Sequence, residues 1–138
     1  NDGGGYALIE DLMSWDAANS NCNENDGYLA TINSVTVKDM LAEICFPDSW
    51  EGDSSDDCWL GLKNTGSGEE ESPPKVAGNW AGGVPYSSSD FSLESVGHFG
   101  NGKCLNFEAH YHNGTLEGDI CSNTRRSICE YPAAAVSY

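Results

Sequence analysis

The chain has 138 residues, 38% of them hydrophobic, with 16 Gly and 4 Trp; this suits one loop-rich domain spanning 1–138 and leaves no room for two cores. Six Lys+Arg against 22 Asp+Glu give a net charge of −16. Such a surface repels phosphate backbones and anionic lipid, which excludes nucleic acid as a partner and favours cations, basic proteins or mineral faces. No apolar run reaches the roughly 18–20 residues of a membrane span. No basic region followed by an apolar stretch opens the chain, so Asn1 reads as a mature start rather than a precursor start.

In chain order, the first organised segment begins at Ser14, an N-cap whose hydroxyl accepts an orphan backbone N–H. Trp15, Ala18 and Cys22 then recur on one helical stripe, and Asn25-Asp26-Gly27 stops it, with Gly27 supplying a positive φ. Leu29-Ala30-Thr31-Ile32 is a short apolar strand or buried link. A second helix starts at Asn33 or Ser34, places Val37, Met40, Leu41 and Ile44 on one apolar face, and ends at Pro47. Asp48 to Asp57 is an acidic loop bracketed by Cys45 and Cys58, and Cys58-Trp59-Leu60-Gly61-Leu62 reads as a buried strand. From Lys63 to about Gly102 the pattern dissolves into Gly, Ser, Pro and acids. A stretch of that length inside a compact domain is often functional. Closing strands follow at Lys103–Phe107, Thr115-Leu116 and Arg126–Tyr131, with 132–138 a loose tail.

Six cysteines without a Cys-x-x-Cys pair point to three disulfides in a secreted, extracellular protein rather than to a zinc ribbon or redox site. Spacing alone leaves about 15 connectivities open.

Several residues together carry a family resemblance. Trp15, Ala18, Cys22 and Gly27 lead into Leu29-Ala30-Thr31-Ile32; Trp59-Leu60-Gly61-Leu62 forms a core strand; Trp80-Ala81-Gly82-Gly83 sits in the long loop; and Cys104, Cys121 and Ile128-Cys129-Glu130 close the chain. From about Tyr6 to Tyr131 the sequence resembles the C-type lectin-like family. The resemblance implies an α+β fold in which two helices flank small antiparallel sheets, with a long irregular ligand-binding loop and disulfide staples. It also implies that Cys22 pairs with Cys129 and Cys104 with Cys121. Cys45 and Cys58 lie outside that pattern, and a local bridge is the first choice. The alternative is a bridge between two subunits of a homodimer.

Sugar-binding members of the family hold Ca²⁺ in the long loop, and vicinal sugar hydroxyls complete its shell. The ion accepts 6–8 oxygens at about 2.3–2.6 Å in a flexible geometry. The family's first ligand motif, Glu-Pro-Asn or Gln-Pro-Asp, falls on Glu94-Ser95-Val96, which keeps only the acid. Its second, Trp-Asn-Asp, falls on Leu116-Glu117-Gly118, with Asp119 one residue further on; a further carboxylate falls on Gly102. The resemblance therefore implies Glu94, Glu117 and Asp119 as calcium ligands, with Glu108, Asn101 and Asn106 in reserve. His98 and Phe99 are placed to stack on a galactose face. With Glu94, Asn101, Glu117 and Asp119 they make up the expected sugar site.

Weaker candidates are His110 and His112 as a transition-metal pair, Asp53, Asp56 and Asp57 as an accessory calcium site or a solvated loop, Glu69-Glu70-Glu71 as a solvated run, and the sequon Asn113-Gly114-Thr115. No nucleophile elbow, His-Glu-x-x-His, Walker loop or EF-hand pattern is present, so the expected function is binding rather than catalysis. The expectation is a secreted, calcium-dependent carbohydrate-binding lectin leaning to galactose. The alternative is a calcium-independent module that binds a protein, mineral or ice surface.

Overall fold

The computed structural model describes residues 5–46, 57–65, 79–86, 96, 99–100, 102–108 and 115–132. Strand β1 (Gly5–Met13) leads into α1 (Trp15–Asn23), β2 (Tyr28–Leu29), α2 (Val35–Cys45), β3 (Cys58–Lys63), β4 (Lys103–Glu108), β5 (Thr115–Ile120) and β6 (Arg125–Tyr131). The strands join in one six-stranded sheet ordered β1-β6-β3-β4-β5, and β2 pairs with β6. β3 runs parallel to β6, whereas β4 and β5 form an antiparallel pair at the sheet's end.

Both helices start where a serine can cap them. Ser14 Oγ accepts from Ala17 N at 3.3 Å and Ser34 Oγ from Val37 N at 3.2 Å. α1 buries Ala18 and Cys22, and α2 buries Leu41 and Cys45. Met40, expected on the apolar face of α2, is 41% exposed, because the buried stripe is narrower than its spacing suggests. β1 is a strand the sequence pattern does not announce. It runs alongside β6, where Leu8 faces Ile128 and Ala7 faces Cys129. The helix exit also differs from expectation. Asp26 carries the positive φ, at 63°, while Gly27 is needed for closeness: a Cβ there would lie 2.5 Å from the Tyr131 ring and 2.6 Å from the Glu130 carbonyl.

β3 is buried on both faces, and its alternation divides the core. Trp59 packs with Ala18, Cys22 and Leu29 beneath α1, while Leu60 and Leu62 pack with Ile32, Leu41, Phe99 and Phe107 beneath α2. The indoles also tie the layers together: Trp59 Nε1 donates to the Met13 carbonyl at 2.9 Å, and Trp15 Nε1 to the Leu60 carbonyl at 2.8 Å. Three disulfides staple this frame, Cys22–Cys129, Cys45–Cys58 and Cys104–Cys121. Cys45 and Cys58 therefore pair within the chain, and no cysteine is left for an intersubunit bridge. No helix among the described residues is long and apolar enough to cross a membrane.

Candidate functional site

The β4–β5 pair presents a polar face at the end of the sheet. Two-residue periodicity puts Asn106 and Glu108 on one side of β4, and Glu117 and Asp119 on the matching side of β5, with Asn106 directly opposite Glu117. Two neighbouring chain segments complete the face. Asp57 immediately precedes β3, whose Cys58 pairs with Phe107 of β4, and Arg125 opens β6, whose Arg126 pairs with the same Cys58. Asp57, Asn106, Glu108, Glu117, Gly118, Asp119 and Arg125 line a cavity of about 140 Å³. At roughly 30 Å³ of liquid volume per water, it has room for several waters or a small polar group.

Charge in the cavity is unbalanced. Four of the lining residues are acids and one is a cation. The Arg125 guanidinium contacts Asp119 Oδ2 through Nε at 3.1 Å and Nη2 at 3.1 Å, and its Nε stands 3.6 Å from Asp57 Oδ2. Asp57 is buried, so this pairing offsets part of the cost of its desolvation. Asp119 is fully engaged. Its Oδ1 accepts from Ile120 N at 2.8 Å and Asn123 Nδ2 at 3.0 Å, and its Oδ2 accepts from Asn106 Nδ2 at 3.2 Å as well as from Arg125. Among the described residues, two buried acceptors on cavity-lining side chains find no donor: Asn106 Oδ1 and Glu108 Oε2. Burying an acceptor unsatisfied typically costs about 1–3 kcal/mol, so a ligand that supplied a donor or a cation would recover that loss.

These observations sort the expected residues. Glu117 lines the cavity beside the two orphan oxygens, and Asn106 and Glu108 join it from β4. Their oxygen chemistry fits the hard-cation preference of Ca²⁺. Asp119 lines the cavity too, but its lone pairs are taken by four donor groups, which leaves it little capacity for a metal. Among the described residues no three His, Cys, Asp or Glu side chains are disposed to hold a metal. The described residues of this face do not by themselves form a metal site. Phe99 is a correction: its ring is 1% exposed and belongs to the core, and Asn64 Nδ2 holds its carbonyl at 3.0 Å, so it is a packing residue and offers no face to a sugar. Glu94, His98 and Asn101 lie outside the described residues, as do Asp53, Asp56, Glu69, Glu70, Glu71, His110, His112, Asn113 and Gly114.

Sequence reasoning passed over Arg125 and placed Asp57 with Asp53 and Asp56, as an accessory calcium site or a solvated loop, rather than beside β4 and β5. The available signal was scarcity: Arg125 is one of six basic residues in the chain and stands at the start of a closing strand.

The frame and its staples define a disulfide-bonded lectin-like domain, and comparison with known proteins agrees. The family model of the lectin C-type domain matches residues 11–131. The chain belongs to the C-type lectin family. Its structure resembles human lithostathine at 17% identity and a TM-score of 0.65, covering 95% of this chain and 85% of that one. A Ca²⁺-dependent type II antifreeze protein in its Ca²⁺-free form is 17% identical, with a TM-score of 0.68 over 96% of this chain and 94% of that one. A calcium-independent type II antifreeze protein is 21% identical, with a TM-score of 0.62 over 97% and 90%. Identities this low establish the fold alone. No match was found among curated protein sequences.

Proposed function

We propose that this chain is a secreted, calcium-dependent carbohydrate-binding lectin whose ligand sits on the β4–β5 face. The observation that carries the reading is a pair of buried oxygens, Asn106 Oδ1 and Glu108 Oε2, that have no donor among the described residues and belong, with Glu117, to the lining of an acidic cavity. A polyhydroxylated ligand supplies donors to such acceptors. Ca²⁺, when bound, would be held by Asn106, Glu108 and Glu117 together with Glu94, and would supply open positions for two vicinal hydroxyls. In this reading Asp119 holds Asn106 and Arg125 in place rather than touching the metal. His98 and Asn101 are the remaining sugar contacts, and a stacking His98 supports galactose-type sugars over mannose. Cysteines all joined in disulfides support an extracellular setting.

A second reading, calcium-independent binding of a protein, mineral or ice surface, is favoured by one observation: the cavity already holds a cation in Arg125. A glycan array probed with calcium and then with EDTA separates the two. Signals that need calcium, and that galactose or lactose inhibits, support the lectin. Full inhibition by mannose overturns the galactose preference, and glycan signals unchanged by EDTA overturn calcium dependence.

A further inference from the structure

The Cys45–Cys58 disulfide has a guanidinium against one of its sulfurs. Arg126 is buried, and the parallel register of β3 and β6 sets it opposite Cys58. Its Nη2 donates to the Cys45 carbonyl at 3.1 Å and reaches Cys45 Sγ at 3.5 Å. Opening a disulfide turns one sulfur into a thiolate, and a nearby positive charge stabilises it as product and as leaving group. Cys45 is the last residue of α2, whose C-terminal end carries roughly half a negative charge and opposes a thiolate there. A full guanidinium charge held 3.1 Å from the same carbonyl outweighs it. The bridge also joins residues 13 apart in sequence, against 17 and 107 for the other two. A shorter loop constrains the unfolded chain less, so the fold loses least when this bridge opens.

We infer that Cys45–Cys58 is a redox-sensitive switch beside the β4–β5 cavity, with Arg126 as the residue that sets its potential. The thiolate of a dithiol reductant attacks Cys58 Sγ, and the electron pair of the S–S bond leaves with Cys45 as a thiolate on Arg126. The reductant's second thiol then displaces Cys58 from the mixed disulfide and passes its proton to it. The dithiol is oxidised to its disulfide and both cysteines are reduced, a two-electron exchange. Once open, Cys58 no longer ties the start of β3 to α2. Asp57, its chain neighbour, then loses its fixed place 3.6 Å from Arg125. Both residues line the cavity, so reduction reshapes it. The inference stands apart from the lectin reading, because it needs neither sugar nor calcium.

The test equilibrates the whole chain in mixtures of reduced and oxidised dithiothreitol, followed by alkylation, peptide mapping and near-ultraviolet circular dichroism. Cys45 and Cys58 are fully buried, so access is slow and the incubation must run to equilibrium. The first two-electron step should alkylate Cys45 and Cys58 alone and keep the near-ultraviolet spectrum of a folded protein. Losing the charge-assisted contact in Arg126→Gln should demand a mixture about tenfold more reducing, a shift of about 30 mV. Arg126→Lys keeps the charge and should stay near the native potential. With glutathione, the trapped mixed disulfide should map to Cys58; mapping to Cys45 overturns the inference, and this arm decides it should Arg126→Gln fail to fold. Earlier opening of either other bridge, loss of the fold at the first step, or equal potentials in the native protein and Arg126→Gln also overturns it. In the singly reduced protein, nuclear magnetic resonance should show the Arg125 backbone amide displaced, and an unmoved signal overturns the link to the cavity.

Discussion

Asp119 is expected to be a structural acid, and its removal should destabilise the metal-free protein. In Asp119→Ala the Ile120 N–H, the Asn123 and Asn106 amides and the Arg125 guanidinium each lose an acceptor. Hydrogen bonds to a charged group contribute about 1.5–3 kcal/mol each, but neighbours in one network do not add. Breaking a buried ion pair by deleting one partner costs about 3–5 kcal/mol, against about 0–1 for an exposed pair. With a fifth of each side chain still in solvent and Asp57 remaining beside Arg125, the cost falls near the lower end of the buried range, at about 3 kcal/mol. Urea denaturation in EDTA measures this directly as a lower midpoint with an unchanged slope. Asp119→Asn keeps an acceptor for Ile120 and Asn123 but loses the charge, and should fall between the two. The reasoning is refuted if Asp119→Ala stays within about 0.5 kcal/mol of the native protein in EDTA, the range of ordinary surface substitutions, while losing calcium affinity. That pattern would make Asp119 a metal ligand.

Gly61 lies where β3 passes the β2 exit, and a Cβ there would collide with the Leu29 carbonyl and come within 2.9 Å of the Ala30 carbonyl. Gly61 N already bonds that Ala30 oxygen at 2.8 Å, so the backbone cannot yield. Gly61→Ala should cost about 3 kcal/mol or more, the upper range of overpacking, and a urea midpoint equal to the native one would contradict this. Tyr6 and Tyr28 both sit opposite Glu130 in the sheet. Burial first, then the Glu130 charge, raises both phenols above 10.0. Their folded-state values exceed the unfolded ones, so the stability they confer is complete below about pH 10 and is lost as pH rises through the folded values. Thermal melts from pH 9 upward should show this loss, and Glu130→Gln should make it shallower; an identical pH dependence in that variant would remove Glu130 as a cause.

Features resting on local chemistry were legible in the sequence. Ser14 and Ser34 announce their helices through capping, and Cys58 to Leu62 announces a buried strand by its continuous apolar run. The pairs Cys22–Cys129 and Cys104–Cys121 followed from family resemblance, because spacing alone does not order six cysteines, whereas Cys45 and Cys58 lay outside that pattern and a local bridge was only the first choice. β1 escaped notice because Ala7, Leu8 and Ile9 are consecutive rather than alternating, and acids follow them at once. Gly27 was given a turn role because its crowding comes from Tyr131, more than a hundred residues away. The candidate site was legible in part for the same reason. Glu117 could be located by counting from Cys121, but the saturation of Asp119 depends on Arg125 and Asn123 arriving from beyond that cysteine. The burial of Phe99 depends on a core assembled from both halves of the chain.

The central claim is that sugar and calcium share ligands on the β4–β5 face. Calorimetric titration with galactose tests it most directly, using the native protein in calcium and in EDTA, the variants Glu117→Gln and Glu94→Gln in calcium, and Glu70→Gln as a control in the acidic run. Losing a charge-assisted contact costs about 1.5–3 kcal/mol, or roughly ten- to a hundredfold in affinity. The account predicts that loss in both variants for galactose and calcium together, no galactose binding in EDTA, and native behaviour in Glu70→Gln. Galactose binding of undiminished affinity in EDTA and in both variants would contradict it.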